Sequence, residues 1–165
     1  MAMARKGRRG RVRRAGKVRA RSRSRVEVVH LPDNKPEYNM PYVPAVKMHG
    51  GKLLFLSGVV AAPVYHHHPH RPEEFDHIPA DAAAQARMAL GNLKRVLEAA
   101  GGSLRDVGYT TRFFTDLEKD QDAVNAVWKE FFGDHVPCIT TVQIVRLGTD
   151  PRLRLEIAAL AVVPD

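Results

Sequence analysis

Apolar residues between positions 81 and 100 recur at intervals of three and four, which places them on one face of a helix. These positions are Ala86, Leu90, Leu93, Leu97 and Ala100. Asp81 suits the N-cap of this helix, and Gly101 suits its C-terminal stop. The same spacing predicts a second helix that ends at Gly133 and presents Val124, Val127, Trp128 and Phe131 on one face.

Short runs rich in β-branched and aromatic residues predict the strands. The predicted strands are residues 26–31, 45–48, 52–60, 107–115, 138–147 and 153–163. Gly50 and Gly51 favour a hairpin between the second and third strands. Prolines make residues 32–44 an irregular loop, and residues 61–79 form a second long loop.

The predicted order is β, β-hairpin, α, β, α, β, β, which is typical of an α+β fold with two helices on one face of a single mixed sheet. The opposite face of that sheet is left apolar and uncovered. The residues expected there, or their alternates along each strand, are Leu54, Leu56, Val142, Ile144, Leu155 and Ile157. We therefore expect the protein to oligomerise through this face.

Composition narrows the class of protein. The 165 residues suit one domain, and 44% of them are hydrophobic, too many for a wholly disordered chain. A single cysteine excludes an intramolecular disulfide framework and any cysteine-based zinc finger. No apolar run approaches the ~18 residues of a membrane span, so we expect no membrane contact and a cytoplasmic location.

The positive charge is concentrated at the N-terminus. Residues 1–25 hold 12 of the 26 basic residues and no acidic residue, so the remainder carries 14 basic against 18 acidic residues. We predict a disordered basic tail over residues 1–25 and a folded domain over residues 26–165. Three interpretations of the tail stay open: nonspecific nucleic-acid binding, a transit peptide, or an extension without function.

The folded part resembles the Rid proteins, which are reactive-intermediate imine/enamine deaminases. The resemblance covers about three quarters of the chain, in order and with matching spacing. The matching segments are residues 41–42 (PY), 54–58 (LFLSG), 84–87 (AQAR), 92–94 (NLK), 97–101 (LEAAG), 110–111 (TT), 114–116 (FTD), 124–125 (VN), 131–132 (FF), 140–142 (TTV), 146–147 (RL) and 155–157 (LEI).

This resemblance implies a chorismate-mutase-like α+β fold, a homotrimer, and ligand clefts between subunits. It implies hydrolysis of 2-imino acids to 2-oxo acids and ammonia, with no cofactor. The family arginine that grips the substrate carboxylate falls on Ile139, and a family glutamate that handles the water falls on Ala158. The cleft residues that remain are Tyr42, Ser57, Gly58, Phe114 and Asn125.

The sequence therefore predicts a small-metabolite-binding protein whose chemistry is imine or enamine hydrolysis on an atypical substrate, or no chemistry at all. With Ile139 in place of the arginine, we expect weak activity on small 2-imino acids and a ligand that is neutral or more apolar there. The alternatives are an endoribonuclease-like protein that binds nucleic acid through residues 1–25, and a non-catalytic ligand-binding module.

Other residues were candidates for the missing chemistry. Possible replacements for the family arginine are Arg87, Arg112 and Arg146. The sequence does not determine on which face of its strand the Arg112 side chain lies. Cys138 is a weak candidate nucleophile, because no base accompanies it in sequence and alternation places it opposite Ile139.

The loop over residues 61–79 is rich in histidine, the commonest metal ligand. It contains His66, His67, His68, His70 and His77 but no His-Glu-x-x-His motif. We expect a solvated loop with adventitious affinity for nickel or zinc, and no built metal site.

Overall fold

The computed structural model describes part of the chain, namely residues 24–35, 37 and 42–165. The predicted basic tail lies outside the described residues, apart from Ser24 and Arg25. The Arg25 guanidinium lies 3.3 Å from the Asp106 carboxylate. The prediction that the folded domain starts near Val26 stays a prediction.

Both helices form where the periodicity predicts them. Helix α1 spans Ala82–Ala99 and helix α2 spans Leu117–Phe132. The Asp81 carboxylate caps α1 by accepting a hydrogen bond from the Ala84 N–H at 2.7 Å. The predicted apolar face of α1 is buried against the sheet. No helix in the described residues is long and apolar enough to cross a membrane.

In the part of the chain that the structure describes, six strands form two separate sheets. The strands are β1 (Val26–Val29), β2 (Ala45–Met48), β3 (Lys52–Val59), β4 (Val107–Phe114), β5 (Cys138–Gln143) and β6 (Leu155–Val163). Four of them make one mixed sheet in the order β3-β6-β4-β5, in which only β4 and β5 run parallel. Strands β1 and β2 pair antiparallel in a ribbon of their own.

The predicted hairpin between β2 and β3 is wrong. Strand β2 pairs with β1, while β3 pairs with β6. Gly50 and Gly51 have φ angles of 69° and 72°, so they turn the chain from the ribbon into the sheet. Because Gly51 has no side chain, this turn can lie directly against the Val163 carbonyl of β6. Any side chain at this position would collide with that carbonyl.

The helices cover one face of the mixed sheet, as predicted. Leu56, Leu155 and Ile157 point into this helix-covered core. Their alternates along each strand, the second possibility that the sequence allowed, lie on the open face, where Leu53 is 62% and Phe55 is 78% exposed. Strand alternation is the reason, since neighbouring side chains project from opposite faces.

Candidate active site

Arg112 is a buried cation in the middle of the fold. It projects from β4 under α2 and is only 6% exposed. Its guanidinium donates to Asn125 Oδ1 at 2.8 Å and to Thr141 Oγ1 at 2.9 and 3.1 Å. Burial lowers the pKa of Arg112 to about 10, so the group stays charged at neutral pH.

The charge of Arg112 has no acidic partner among the described residues. Its hydrogen bonds go to a neutral amide and a neutral hydroxyl, and its Cζ lies 5.0 Å from the Trp128 ring. A buried charge normally needs an opposite charge, because neutral dipoles compensate only part of the lost hydration. The arrangement is therefore suited to binding an anion.

A cavity of about 420 Å³ opens beside this guanidinium. Its wall combines polar residues with apolar ones: Arg112, Asn125, Ala126, Trp128, Lys129, Phe132, Gly133, His135, Val136 and Ile139. The volume suits a small metabolite, and the mixed lining is typical of small-molecule sites. Ile139 lines this cavity, and Arg112, one of the replacements that the sequence left open, reaches the same cavity from the neighbouring strand.

Two further polar groups of the lining have atoms to offer a ligand. The Trp128 indole N–H is buried and makes no hydrogen bond to a described residue. His135 Nε2 lies 2.7 Å from the Val107 carbonyl, and a carbonyl only accepts, so Nε2 carries the proton. In the neutral ring the lone pair of His135 is then on Nδ1.

A second polar group lies on the open face of the sheet. Glu156 pairs with Phe113 across β4 and β6, so it projects on the side opposite to Arg112. Its carboxylate packs so closely over Gly58 that any side chain at Gly58 would collide with it. Burial raises the pKa of Glu156 above its ordinary value.

Gly58 lies at an irregularity in β3, where the register with β6 shifts between Leu56 and Val59. Such bulges are common beside active sites, because they redirect neighbouring groups. The absence of a side chain at Gly58 leaves room for the Glu156 carboxylate.

Most of the chain matches a known protein family. A family model described as endoribonuclease L-PSP matches residues 32–163. The chain belongs to this family. Among curated members, the 2-iminobutanoate/2-iminopropanoate deaminase of Escherichia coli is 37% identical over 133 residues, which cover 79% of this chain and 93% of that protein.

Solved structures share the fold of this endoribonuclease L-PSP family chain. A Rid family protein of Yersinia pestis superposes with a TM-score of 0.69 at 22% identity, covering 84% of this chain and 99% of that one. Escherichia coli TdcF with bound serine gives a TM-score of 0.55 at 34% identity, covering 85% and 94%. The resemblance to the Rid proteins is confirmed, and so is the α+β fold with two helices.

The predicted site residues of this endoribonuclease L-PSP family chain divide into two groups. Asn125 and Ile139 line the Arg112 cavity, and Phe114 lies buried on the same face. Gly58 contacts Glu156 on the open face. Residue alternation along β6 places Ala158 on that face as well.

Tyr42 and Ser57 are exposed, Tyr42 in the loop before β2 and Ser57 at the irregularity in β3. One chain does not bring the two groups together, because the sheet separates them.

The sequence reasoning missed two functional candidates. It could not orient Arg112, although this is the one charged residue of strand β4. It assigned the family glutamate to Ala158 and overlooked Glu156, although both residues share a face of β6. Glu156 was part of the matched segment at residues 155–157 and is the ionisable residue of the two.

The other arginine candidates do not reach the cavity. Arg87 lies on α1 and forms an exposed ion pair with Glu130, with 2.9 Å between Nη2 and Oε1. Arg146 is exposed beyond the end of β5. Cys138 has a free thiol and pairs with Tyr109 at the start of β5, outside the cavity lining.

Proposed function

We propose that this protein hydrolyses the C=N bond of small 2-imino acids, giving 2-oxo acids and ammonia. The observation that carries the proposal is the buried Arg112 guanidinium, which faces a cavity without an acidic partner among the described residues. A substrate carboxylate would supply the missing counter-charge through two parallel hydrogen bonds, a geometry for which arginine is suited.

The relatives support the same substrate class. The Escherichia coli relative is named 2-iminobutanoate/2-iminopropanoate deaminase. The TdcF structure contains serine, an amino acid with the same carboxylate group. In this chain the carboxylate contact moves from the position of Ile139 on β5 to Arg112 on the adjacent strand β4.

Hydrolysis adds water to the imine carbon, after which the carbinolamine releases ammonia. The reaction needs a group that takes a proton from water and returns one to the leaving nitrogen. Glu156 suits this role, because its raised pKa brings the carboxyl group closer to neutral pH. It projects away from Arg112, so a second copy of the chain must supply it to the same cleft.

A homotrimer with clefts between subunits satisfies this requirement. The open face of the sheet carries the exposed apolar side chains of Leu53 and Phe55 beside the partly exposed Leu160. An apolar face of this kind is typical of a surface that packs against another subunit. Contact between such faces would bury the apolar side chains. It would also bring Gly58 and Glu156 of one subunit beside the neighbouring subunit.

The assay generates 2-iminopropanoate in situ from alanine with an amino-acid oxidase and follows loss of the imine with and without the protein. We expect the rate of hydrolysis to increase in proportion to protein concentration. Binding of a 2-oxo acid without acceleration would instead identify a non-catalytic ligand-binding module, and absence of both would reject the proposal.

Ribonucleic acid is the second candidate substrate. The description of the family as endoribonuclease L-PSP favours it, and residues 1–25 supply 12 basic side chains. These residues are suited to phosphate contacts.

A further inference from the structure

Three histidines in the 61–79 loop face one another. His66, His68 and His70 each offer a ring nitrogen, and these atoms all lie within 4.8 Å of one another. Their ring centroids are 4.6 to 4.9 Å apart. His68 and Pro69 lie in a bend, so the conformation of the loop, and not strand alternation, brings the three rings together.

The cluster rests on a fixed base. His66 and His70 contact the Phe75 ring edge-on, with centroids 5.3 and 5.5 Å apart. Phe75 is buried in a small core of its own, together with Ala61, Ala62, Ile78, Leu147 and Leu153. The loop therefore positions the imidazoles against packed side chains.

One of the three rings is already held in the tautomer that a metal requires. His66 Nδ1 lies 3.1 Å from the Pro63 carbonyl, which can only accept, so Nδ1 carries the proton. The lone pair is then on Nε2. In metal-bound histidines, the ring nitrogen that does not bind the metal commonly donates a hydrogen bond to a backbone carbonyl.

The neighbouring His67 is engaged elsewhere. Its Nδ1 lies 2.7 Å from Glu74 Oε1, and its backbone N–H donates to Glu74 Oε2 at 3.0 Å. These hydrogen bonds hold the pKa of Glu74 below its ordinary value. His67 is therefore bonded to Glu74 and is not part of the cluster of His66, His68 and His70.

We propose that His66, His68 and His70 form a site for one divalent cation of the zinc class. Imidazole nitrogens suit zinc, copper and nickel. Tetrahedral zinc places its nitrogen ligands about 3.4 Å apart, given bonds of about 2.0–2.1 Å. Small rotations of the exposed rings close the distances to that value, and water completes the coordination.

The bound cation would tie together the two ends of the histidine segment above Phe75. A ligand that binds only the folded state stabilises that state, and the stabilisation grows with the logarithm of the free ligand concentration once this exceeds Kd. The site is therefore a clamp on the 61–79 loop, separate from the Arg112 cavity, and it does not depend on the proposed imine chemistry.

The test uses the full chain without an affinity tag, stripped with EDTA and dialysed. Zinc chloride is titrated by calorimetry, and cobalt chloride serves as a visible-absorption probe of tetrahedral coordination. We expect one zinc per chain and a higher Tm with zinc. His68→Ala and His70→Ala should each weaken the affinity more than tenfold and abolish the Tm shift.

His77→Ala is the matched control, since it removes an exposed histidine of the same loop from outside the cluster. It should retain one zinc per chain and the tetrahedral cobalt spectrum. Circular dichroism verifies that each variant is folded. Zinc binding of equal affinity in wild type and His68→Ala, or only weak unsaturable uptake, would overturn the proposal.

Discussion

At the residue scale, the position of one guanidinium decides the chemistry of the cavity. We predict that Arg112→Met lowers kcat/KM for 2-iminopropanoate more than 100-fold. Charge-assisted hydrogen bonds contribute about 1.5–3 kcal/mol each, and a loss of about 3 kcal/mol in transition-state binding corresponds to that factor. Steady-state kinetics of the two proteins measure it.

Two comparisons make the Arg112 result specific. Arg87→Met removes an exposed arginine of the α1 surface and should leave kcat/KM unchanged. The double variant Arg112→Val/Ile139→Arg moves the cation to the neighbouring strand on the same face and should recover part of the activity. Activity in Arg112→Met equal to wild type would show that another group binds the carboxylate.

Glu156 gives the second residue-scale prediction. Burial raises its pKa above the ordinary value of 4.5, and a general base acts only when ionised. The kcat/KM should therefore fall as the pH drops through this raised pKa, with the acid limb above pH 4.5. Glu156→Gln should lower kcat/KM about 100-fold and should abolish the acid limb of the pH profile. A decrease of this size is typical when a general base is removed.

A stability measurement checks the same pKa shift. The carboxyl group is harder to ionise when folded, so its stability contribution is complete below pH 4.5 and is lost as pH rises through the folded pKa. In Glu156→Gln, the free energy of unfolding should no longer decrease as the pH rises through this range. Glu98→Gln, which removes an exposed carboxylate 3.8 Å from the Lys94 ammonium, should change neither profile. A wild-type acid limb in Glu156→Gln would contradict the assignment.

At the element scale, one buried ion pair fastens α2 to the sheet. Asp120 accepts two hydrogen bonds from Arg154, which lies just before β6, at 2.6 and 2.7 Å. We predict that Asp120→Asn lowers the free energy of unfolding by about 3 kcal/mol, because the Arg154 charge loses its partner. Urea denaturation measures the change.

Glu130→Gln is the matched control on the same helix. It breaks the exposed pair with Arg87, and such pairs contribute about 0–1 kcal/mol. Equal losses in the two variants would show that burial adds nothing to the Asp120–Arg154 pair.

At the scale of the whole molecule, the open face of the sheet governs assembly. We predict a homotrimer that Phe55→Glu disrupts, since a charge on this apolar face would have to be buried without a partner. Light scattering should give three times the 18.4 kDa chain mass for wild type and the mass of one chain for the variant.

Tyr65→Glu provides the control for assembly. Tyr65 is an exposed aromatic residue of the 61–79 loop, outside the sheet, and the substitution should leave the trimer intact. A wild-type monomer at micromolar concentration would reject the model.

The basic segment of residues 1–25 gives the last prediction. If it contacts RNA, the affinity should fall steeply with salt and should not depend on sequence, because each phosphate contact releases counterions. Fluorescence anisotropy compares the full chain with a version whose 12 basic residues in this segment are replaced by glutamine. Equal affinities would exclude the segment as the contact.

Much of the architecture was predictable because local patterns encode it. The helical spacing of Leu90, Leu93 and Leu97 and the cap residue Asp81 determine where α1 lies. Pairing was predicted less well: the glycine turn indicated a β2–β3 hairpin, but β2 pairs with β1. Local turn preference does not report which distant strand offers the better partner, and β3 pairs with β6 instead.

The sequence by itself determined the family, the order of the elements and the absence of an arginine at position 139. Only the tertiary structure decided that Arg112 lies in the cavity beside Ile139 and that Glu156 lies over Gly58. Parallel pairing of β4 with β5 places Arg112 opposite Thr141, two residues beyond Ile139 on the same face, so the two positions share one cavity. Packing of β6 against β3 sets Glu156 over Gly58. Both contacts join residues far apart in the chain, and no local spacing encodes them.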